Sequence, residues 1–470
     1  MKKQFILHKM VDFFPFEPTS EQLSALQTLS DFLTSNEKNS ILLIKGYAGT
    51  GKTTLLGAAV KMMVSLNQKA ILLAPTGRSA KVFAEHSGHI AYTIHKKIYH
   101  QSGEHAGLSL SGFSLTANLH KDTLFIVDEA SMISNERTDL TVFGSGCLLD
   151  DLISYVYSGD NCRLILMGDS AQLPPVSFTD SPALDANYLK KYAFQATVIQ
   201  LTQVVRQQAD SGILVNATNL RNALRSGKTA VFPTIKTAGF SDVRHINGSE
   251  LIEELSSAYS RDGIDQTMVI CRSNKNTNIY NKGVRNSILY REEELSSGDR
   301  LMIVKNNYYW GKGNSVIDFI ANGEIVQVLR VRHTEELFGF RFCNVKVRFI
   351  DYDFETELKL LIDTLQSESP ALSQEANEKL FAAIAEEYVD VRSKRERFKM
   401  IKDNPYFNAV QVKYAYAVTC HKAQGGQWRT VFLDVGYLTD DMLGENFYRW
   451  LYTAFTRATD RLYLVNFKKN

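Results

Sequence analysis

The sequence predicts an α/β protein made of two doubly wound parallel sheets, and three of its features support this fold class. Short apolar segments alternate with helical segments through the first half of the chain. One apolar segment leads into a glycine-rich loop, GYAGTGKT at 46–53, and then into a helix. A fainter alternation of the same kind recurs in the second half. A chain of 470 residues is long enough for about two to four domains, so it can hold both sheets.

Buried strands of parallel sheets are continuous apolar runs, and several such runs are expected to be strands. Those of the first domain are 41–44, 70–73, 124–127, 164–167 and 198–201. Those of the second domain are 267–270, 414–419, 430–435 and 462–465. Because the second half has no glycine-rich loop, we expect the second domain to close on a nucleotide held by the first.

The loop at 46–53 predicts a site for nucleotide phosphates. Its glycines let backbone N–H groups curve around phosphate oxygens, and the following helix adds a favourable N-terminal dipole. Lys52 is expected to reach the β- and γ-phosphates, and Thr53 to bind Mg²⁺. The residues expected to contact ATP here are Gly46, Ala48, Gly49, Thr50, Gly51, Lys52, Thr53 and Thr54.

An acidic pair follows the apolar run at 124–127. Asp128 would lie at the carboxyl end of a strand, which is where open α/β sheets bind ligands. We expect Asp128 to hold Mg²⁺ through water, together with Thr53. Glu129 is the candidate general base for the water that attacks the phosphate.

Composition limits the class of protein. Lys and Arg number 53 against 51 Asp and Glu, a net charge of +2, so any nucleic-acid binding must come from a local groove. The five cysteines show no CxxC spacing and predict reduced thiols in the cytoplasm. No apolar run approaches the roughly 20 residues that span a bilayer, and charged residues interrupt the N-terminal segment. We therefore expect a cytoplasmic location and no membrane partner.

Three segments do not fit the alternation. Residues 108–110 and 113–115 alternate on both sides of Ser111-Gly112, which predicts a β-hairpin insertion within 99–119. Alternating runs within 324–354 predict a small antiparallel barrel. Residues 373–401 are helical in pattern and rich in charge, which is typical of a solvated face.

The order of motifs resembles that of superfamily 1 DNA helicases, and within them the RecD/Dda-type branch. The resemblance runs from Thr19 to Ala458 and includes GDSAQLPPV at 168–176, HKAQG at 421–425 and YTAFTRA at 452–458. It implies two RecA-like domains with a β-hairpin inserted in the first and an SH3-like barrel in the second. The implied limits are 1–198 for the first domain, 199–323 with 411–470 for the second, and 324–410 for the barrel with its charged helical segment.

The resemblance adds residues to the ATP site. It implies that Gln172 senses the γ-phosphate and that Arg206, in LTQVVRQ, contacts phosphate. Arg457 would be supplied by the second domain and would stabilise the transition state. The chain has Gly426-Gln427 after HKAQG, where the family often has a small residue and then Glu, so a nucleotide-holding role at this position is open. The implied catalytic set is Lys52, Glu129, Gln172, Arg206 and Arg457.

Gln22 allows two interpretations. The resemblance implies that Gln22 recognises adenine. The sequence Thr19-Ser-Glu-Gln22 is also a capping box for the helix that follows.

The resemblance also implies contacts to DNA phosphates, which carry no sequence information. The residues are Pro75, Thr76, Thr93, His95, Thr419, His421 and Lys422. The implied activity is that of a monomeric DNA helicase that uses ATP and Mg²⁺, moves 5′–3′ on single-stranded DNA and unwinds duplex at single-strand/double-strand junctions.

Several alternatives remain open for this function. The hairpin within 99–119 would separate the strands as a wedge or would be an inert surface feature. The chain could instead be an RNA-directed helicase of the same superfamily or a DNA-binding ATPase switch that does not translocate. A role in DNA replication, repair or recombination is expected.

Overall fold

The structure is a computed structural model that describes residues 2–35, 37–101, 113–137, 143–192, 194–204, 211–311, 319–351 and 354–467. The chain divides into two compact units. Unit 1 comprises Met1–Asp242, Gln424–Gln427 and Thr439–Arg457. Unit 2 comprises Val243–Ala423, Trp428–Leu438 and Ala458–Asn470.

Helices and strands alternate along both units. The helices are α1 (Lys2–Asp12), α2 (Ser20–Thr34), α3 (Lys52–Ser65), α4 (Gly77–Ser87), α5 (Ile94–Ile98), α6 (Leu148–Ser158), α7 (Ala186–Leu189), α8 (Gly212–Arg225), α9 (Leu251–Asp262), α10 (Asn274–Gly283), α11 (Gln374–Glu386), α12 (Lys394–Lys402), α13 (Cys420–Ala423) and α14 (Glu445–Phe455). The strands are β1 (Ser40–Gly46), β2 (Lys69–Ala74), β3 (Ala91–Thr93), β4 (Tyr99–Gln101), β5 (Phe113–Leu115), β6 (Thr123–Val127), β7 (Arg163–Gly168), β8 (Gln195–Leu201), β9 (Val243–Ile246), β10 (Thr267–Cys271), β11 (Arg300–Ile303), β12 (Ile325–Leu337), β13 (Phe340–Phe349), β14 (Phe354–Leu361), β15 (Val410–Tyr414), β16 (Ala417–Thr419), β17 (Trp428–Asp434) and β18 (Ala458–Val465).

Unit 1 contains a six-stranded sheet in the order β3-β2-β6-β7-β1-β8. All neighbouring strands in it run parallel. The central strands β1, β6 and β7 are almost entirely apolar and buried, as expected for strands covered on both faces. Every strand predicted for the first domain is present, and β3 is an addition that the sequence did not suggest.

Unit 2 contains a five-stranded parallel sheet, β16-β10-β17-β18-β9, and a closed barrel, β11-β12-β13-β14-β15. Both confirm the predicted fold class, although the barrel is not wholly antiparallel, since β14 and β15 pair in parallel. The barrel begins earlier than expected, since β11 at Arg300–Ile303 pairs with β12 and β15. The charged segment forms α11 and α12, and α12 buries only Ile401.

The predicted strand 414–419 is wrong, because two strands occupy it. β15 ends at Tyr414 in the barrel, and β16 begins at Ala417 in the parallel sheet. The buried side chain of Asn281 satisfies the backbone between them. Its amide donates to the carbonyl oxygens of Tyr414 and Ala417 and accepts from the N–H groups of Tyr416 and Ala417. Side-chain bonds therefore replace the strand ladder at this point.

The hairpin insertion pairs differently from the prediction. Strand β5 was expected to pair with 108–110 across Ser111-Gly112, but its partner is β4, with Gln101 opposite Phe113. The rings of Tyr99 and Phe113 both pack against Phe143, with centroids 4.8 Å apart in each pair, and this aromatic contact holds the two strands together. Residues 102–112, which include the predicted turn, lie outside the described residues.

The predicted domain limits stay a prediction. The compact units follow packing, which assigns 199–242 and α14 to unit 1. Within the described part of the chain, no helix is long and apolar enough to cross a membrane.

Candidate nucleotide and nucleic-acid sites

The expected nucleotide residues of unit 1 follow three neighbouring strands. In the sheet, β6 lies beside β7 and β7 lies beside β1. The glycine-rich loop follows β1, the acidic pair follows β6, and the segment with Gln172 follows β7. Because parallel strands end at one edge of a sheet, the three segments meet at the same edge.

The glycine-rich loop has the backbone that its sequence requires. Gly49 and Gly51 have φ angles of 76° and 81°, in the left-handed region that disfavours other residues. A Cβ atom on Gly46 would lie 2.7 Å from Cγ of Lys52, so a larger residue would displace the lysine. Lys52 begins α3, and its Nζ donates to the carbonyl oxygen of Tyr47 at 3.0 Å. The loop can therefore present backbone N–H groups and an ammonium group to an anion.

The acidic pair has a constrained backbone. Glu129 has a φ of 52°, which is uncommon for a residue with a side chain, and its N–H donates to Oδ1 of Asp128 at 2.7 Å. Burial raises the pKa of Asp128, and the neighbouring charge of Glu129 raises it further, while Lys52 opposes this shift. A positive φ angle at a residue with a side chain, as at Glu129, is typical of functional sites.

The oxygen donors here fit Mg²⁺ only in company with phosphate. Among the described residues, no group of three or more His, Cys, Asp or Glu side chains is placed to hold a metal ion. Mg²⁺ in nucleotide sites is commonly bound by one or two protein oxygens and completed by phosphates and water. The Thr53 hydroxyl and the Asp128 carboxylate match that donor set.

The side chain of Gln172 carries a buried oxygen atom without a hydrogen-bond partner among the described residues. Gln172 is 5% exposed, and its Oε1 has no hydrogen-bond partner among the described residues. An unpaired buried polar group costs about 1–3 kcal/mol, so such an atom needs an explanation. The neighbouring backbone is held firmly, because Leu173 N donates to Thr453 Oγ1 at 2.9 Å and Leu173 O accepts from Gln424 Nε2 at 2.7 Å. An incoming water or phosphate hydroxyl would satisfy Oε1.

Arg457 lies in unit 1, whereas the resemblance implied that the second domain supplies it. Helix α14, which precedes Arg457, packs on unit 1: its Phe447 ring lies tilted against Phe232 with 5.9 Å between centroids, and its Thr453 hydroxyl accepts from Leu173 N. Arg457 is 2% exposed. Its guanidinium donates to the carbonyl oxygens of Thr453 and Gly426 at 3.1 and 3.0 Å. Gly426 therefore contacts the arginine through its backbone, and its direct nucleotide role stays a prediction.

Gln22 forms the capping box of α2. Its Oε1 accepts from Thr19 N at 3.0 Å, and its own N–H donates to Thr19 Oγ1 at 3.2 Å. The amide Nε2 donates to the carbonyl oxygen of Thr50 at 3.0 Å. The side chain thus joins α2 to the glycine-rich loop, and adenine recognition by Gln22 stays a prediction.

Two residues that the sequence did not single out are linked to the glycine-rich loop, Tyr452 directly and Asp169 through Tyr452. The hydroxyl of Tyr452 accepts from Ala48 N at 2.9 Å and donates to Asp169 Oδ2 at 2.5 Å. Asp169 and Tyr452 stand beside Gln172 and Arg457 in the same motifs, and that proximity is the only signal in the sequence that could have found them. Arg206 lies outside the described residues.

The expected DNA residues of unit 1 lie at helix starts. Thr76 Oγ1 accepts from Ser79 N at 3.1 Å and caps α4, which directly follows Pro75 and Thr76. Thr93 Oγ1 accepts from Lys96 N at 3.2 Å and caps α5. Burial among aromatic rings lowers the pKa of His95 to about 4, so its imidazole is neutral at pH 7. Their contact with DNA stays a prediction.

The expected DNA residues of unit 2 follow β16. Thr419 ends this strand, His421 is exposed, and Nζ of Lys422 donates to Asn322 Oδ1 at 2.5 Å. Burial, and to a smaller extent the positive charge of Lys413, lower the pKa of Lys422 to about 8. A phosphate group would relieve the repulsion between these two cations.

Two family models match the chain. Residues 19–240 match an AAA domain, and residues 414–465 match a UvrD-like helicase C-terminal domain. The first match covers the nucleotide residues of the sheet in unit 1, and the second covers α13, α14 and the strands around them.

Curated relatives and a solved structure are similar over most of the chain. The ATP-dependent RecD2 DNA helicase of Deinococcus radiodurans is 25% identical, over 95% of this chain and 48% of its own length. The ATP-dependent DNA helicase dda of Enterobacteria phage T4 is 26% identical, over 63% of this chain and 64% of its own. A Pif1 helicase from Bacteroides in complex with ADP-AlF3 and ssDNA has a TM-score of 0.49 at 16% identity, covering 97% and 94% of the two chains.

The chain therefore spans about half the length of RecD2 and less than two thirds of dda. The two family models match in the same order as the motifs found in the sequence, with the AAA domain first and the helicase C-terminal domain last. The two relatives described above carry helicase names. On these matches, the chain is similar to helicases of the RecD/Dda type in its sequence and in the order of its motifs.

Proposed function

We propose that this protein is an ATP-dependent DNA helicase that moves 5′–3′ along single-stranded DNA and unwinds duplex at single-strand/double-strand junctions. The observation that carries the proposal is the buried, unpartnered Oε1 of Gln172, at the same sheet edge as the glycine-rich loop and the acidic pair. A hydrolytic nucleotide site needs these three parts together: a phosphate cradle, a base and a group that senses the reacting phosphate.

In this proposal, the residues of unit 1 have separate roles in ATP hydrolysis. Lys52 and the backbone N–H groups of the loop hold the phosphates. Glu129 accepts a proton from the attacking water, and Gln172 Oε1 accepts a second hydrogen bond that orients it. Mg²⁺, which Thr53 and Asp128 would hold together with phosphate oxygens, would neutralise charge on the phosphates. Arg457 and Arg206 would stabilise the charge that develops in the transition state.

The DNA part of the proposal rests on the similarity of the chain to RecD/Dda-type DNA helicases and on the chemistry of the expected contacts. Threonine hydroxyls, a histidine and a lysine bind phosphates without reading bases, as a motor that passes every sequence requires. The 5′–3′ direction comes from the resemblance to the RecD/Dda branch. Action as a monomer, a cytoplasmic location and a role in replication, repair or recombination belong to the same proposal.

Tailed duplexes test the whole proposal. With ATP and Mg²⁺, the protein should unwind a duplex that has a 5′ single-stranded DNA tail and leave one with a 3′ tail intact. The Lys52→Ala variant is the control for contaminating activity and should unwind neither. Unwinding from the 3′ tail alone would contradict the direction. DNA-stimulated ATP hydrolysis without any unwinding would indicate a switch, and unwinding only from RNA tails would indicate an RNA helicase.

A further inference from the structure

Tyr452 sits where helix α14 meets the glycine-rich loop of unit 1. The side chain is 1% exposed. Its hydroxyl oxygen lies 2.9 Å from Ala48 N and 2.5 Å from Asp169 Oδ2. One phenol thus bridges the loop that would hold the phosphates and the segment that carries Gln172.

The direction of these hydrogen bonds is determined by chemistry. A phenol has one O–H donor, and a backbone N–H can only donate. The hydroxyl therefore accepts from Ala48 and donates to the carboxylate of Asp169. Burial raises the pKa of Tyr452 well above its usual value, so the proton stays on the phenol. Asp169 Oδ1 accepts from Ala171 N at 2.9 Å, which holds the carboxylate from its other side.

The next residue of the same helix holds the other end of the Gln172 segment. Thr453 Oγ1 accepts from Leu173 N at 2.9 Å and donates to Arg449 O at 2.7 Å. Gln172 therefore lies between two points, Asp169 and Leu173, that α14 fixes through adjacent side chains. Arg457 follows the end of this helix and bonds back to the carbonyl oxygen of Thr453 at 3.1 Å.

We propose that Tyr452 is a positioning residue that couples the glycine-rich loop to the Asp169–Gln172 segment. The hydroxyl fixes the peptide of Ala48 at one distance from Asp169, and so sets where a phosphate in the loop lies relative to Gln172. If nucleotide binding moves the peptide of Ala48, the hydrogen bond to Tyr452 transmits that displacement to α14 and to Arg457, which follows the helix. This inference rests on the proposed hydrolysis of ATP.

The simpler explanation is that the Tyr452 hydroxyl only satisfies two buried polar groups. Both explanations predict lower thermal stability for Tyr452→Phe, because Ala48 N–H and Asp169 Oδ2 lose a partner. They differ in kinetics. A coupling role predicts a fall in kcat for ATP with little change in KM, since misplacement of catalytic groups by about 1 Å costs up to about a hundredfold.

The helix offers a matched control in Tyr448. Tyr448 is 2% exposed and lies one turn earlier on α14, and its hydroxyl donates to the carbonyl oxygen of Val231 at 2.7 Å. Tyr448→Phe therefore removes a hydrogen-bonded tyrosine hydroxyl from the same helix without touching the glycine-rich loop.

The experiment measures kcat and KM for ATP at saturating single-stranded DNA, together with thermal unfolding, in the full chain. Tyr452→Phe should lower kcat about tenfold or more and change KM by less than about threefold. Tyr448→Phe should keep the kcat of the unmodified chain and lose less thermal stability than Tyr452→Phe, because it removes one part-buried hydrogen bond rather than two. Equal kcat values in all three proteins, or equal losses in both variants, would overturn the proposal.

A double-mutant cycle and a binding measurement complete the test. Combining Tyr452→Phe with Asp169→Asn should cost no more in kcat than the worse single change, because both break one bridge, and additive losses would contradict the coupling. The dissociation rate of a fluorescent ADP analogue should change several-fold in Tyr452→Phe only. If the unmodified chain binds this analogue but hydrolyses no ATP, the proposed function fails, and the dissociation rates still decide for or against the coupling.

Discussion

The amide nitrogen of Gln22 donates a hydrogen bond to the carbonyl oxygen of Thr50, 3.0 Å away in the glycine-rich loop. The same side chain completes the capping box of α2 through Thr19. The two interpretations of Gln22 therefore start from one conformation, in which a helix cap is already joined to the loop. Separating them requires variants that affect the cap alone.

Gln22→Ala should weaken discrimination between ATP and GTP if Gln22 recognises adenine. Thr19→Ala is the matched control, since it removes the hydroxyl side of the same cap and costs about 1 kcal/mol of stability. The KM values for ATP and GTP in both variants give the answer. If Gln22→Ala and the unmodified chain prefer ATP over GTP equally, Gln22 serves only to cap α2 and to bond to the glycine-rich loop.

Glu129→Gln should bind ATP normally and hydrolyse it about 10²- to 10⁴-fold more slowly, because an amide cannot accept the proton of the attacking water. The control is Glu136→Gln, an exposed glutamate further along the same segment, which should keep full activity. Turnover and nucleotide binding are measured on each. Near-normal turnover in Glu129→Gln would remove this residue from the role of base.

Arg457→Lys should lower kcat much more than the affinity for ATP, because a planar guanidinium is needed where charge develops in the transition state. Lysine keeps a positive charge at a site that is 2% exposed, so it disturbs packing less than alanine would. Arg461→Lys, on β18 of unit 2, serves as the control. Equal losses in kcat and in the affinity for a fluorescent nucleotide would indicate ground-state binding instead.

Affinity for single-stranded DNA should fall as pH rises through about 8, the value to which burial lowers the pKa of Lys422. Below this pH the ammonium is charged and attracts phosphate, and above it the amine is neutral. Lys422→Arg should remove the step, because a guanidinium stays protonated. Lys379→Arg, at an exposed lysine of α11, should retain it. A step that persists in Lys422→Arg would assign the titration to another group.

The hairpin prediction concerns the connection between β4 and β5. Replacing 103–111 with a short Gly-Ser link leaves both strands and the aromatic contact of Tyr99 and Phe113 intact. If the hairpin is a wedge, duplex unwinding should fall sharply, while ATP hydrolysis stimulated by single strands stays near normal. Base-pair steps average about 1.4 kcal/mol and would no longer be split as the strand advances. Full unwinding by this variant would show that the hairpin is inert.

The sequence determined the parts of the molecule that depend on local pattern. Apolar runs marked most strands of both sheets, because strands covered on two faces need apolar residues throughout, but they did not mark the edge strands β3 and β9. GYAGTGKT identified the phosphate loop, since the left-handed angles at Gly49 and Gly51 are nearly restricted to glycine. Asp128 and Glu129 were found for the same reason, because they directly follow a recognisable strand.

Tertiary structure decided which distant residues meet. The pairing of β4 with β5 depends on rings that converge on Phe143. The contact between Ala48 and Tyr452 joins residues 404 positions apart, which no local pattern encodes. The packing of α14 placed Arg457 in unit 1. The same helix bonds to Asp169 and Leu173, on either side of Gln172. The Oε1 atom of Gln172 has no hydrogen-bond partner among the described residues. Spacing along the chain can identify a functional group, but its hydrogen-bond partners depend on how the helices and strands pack.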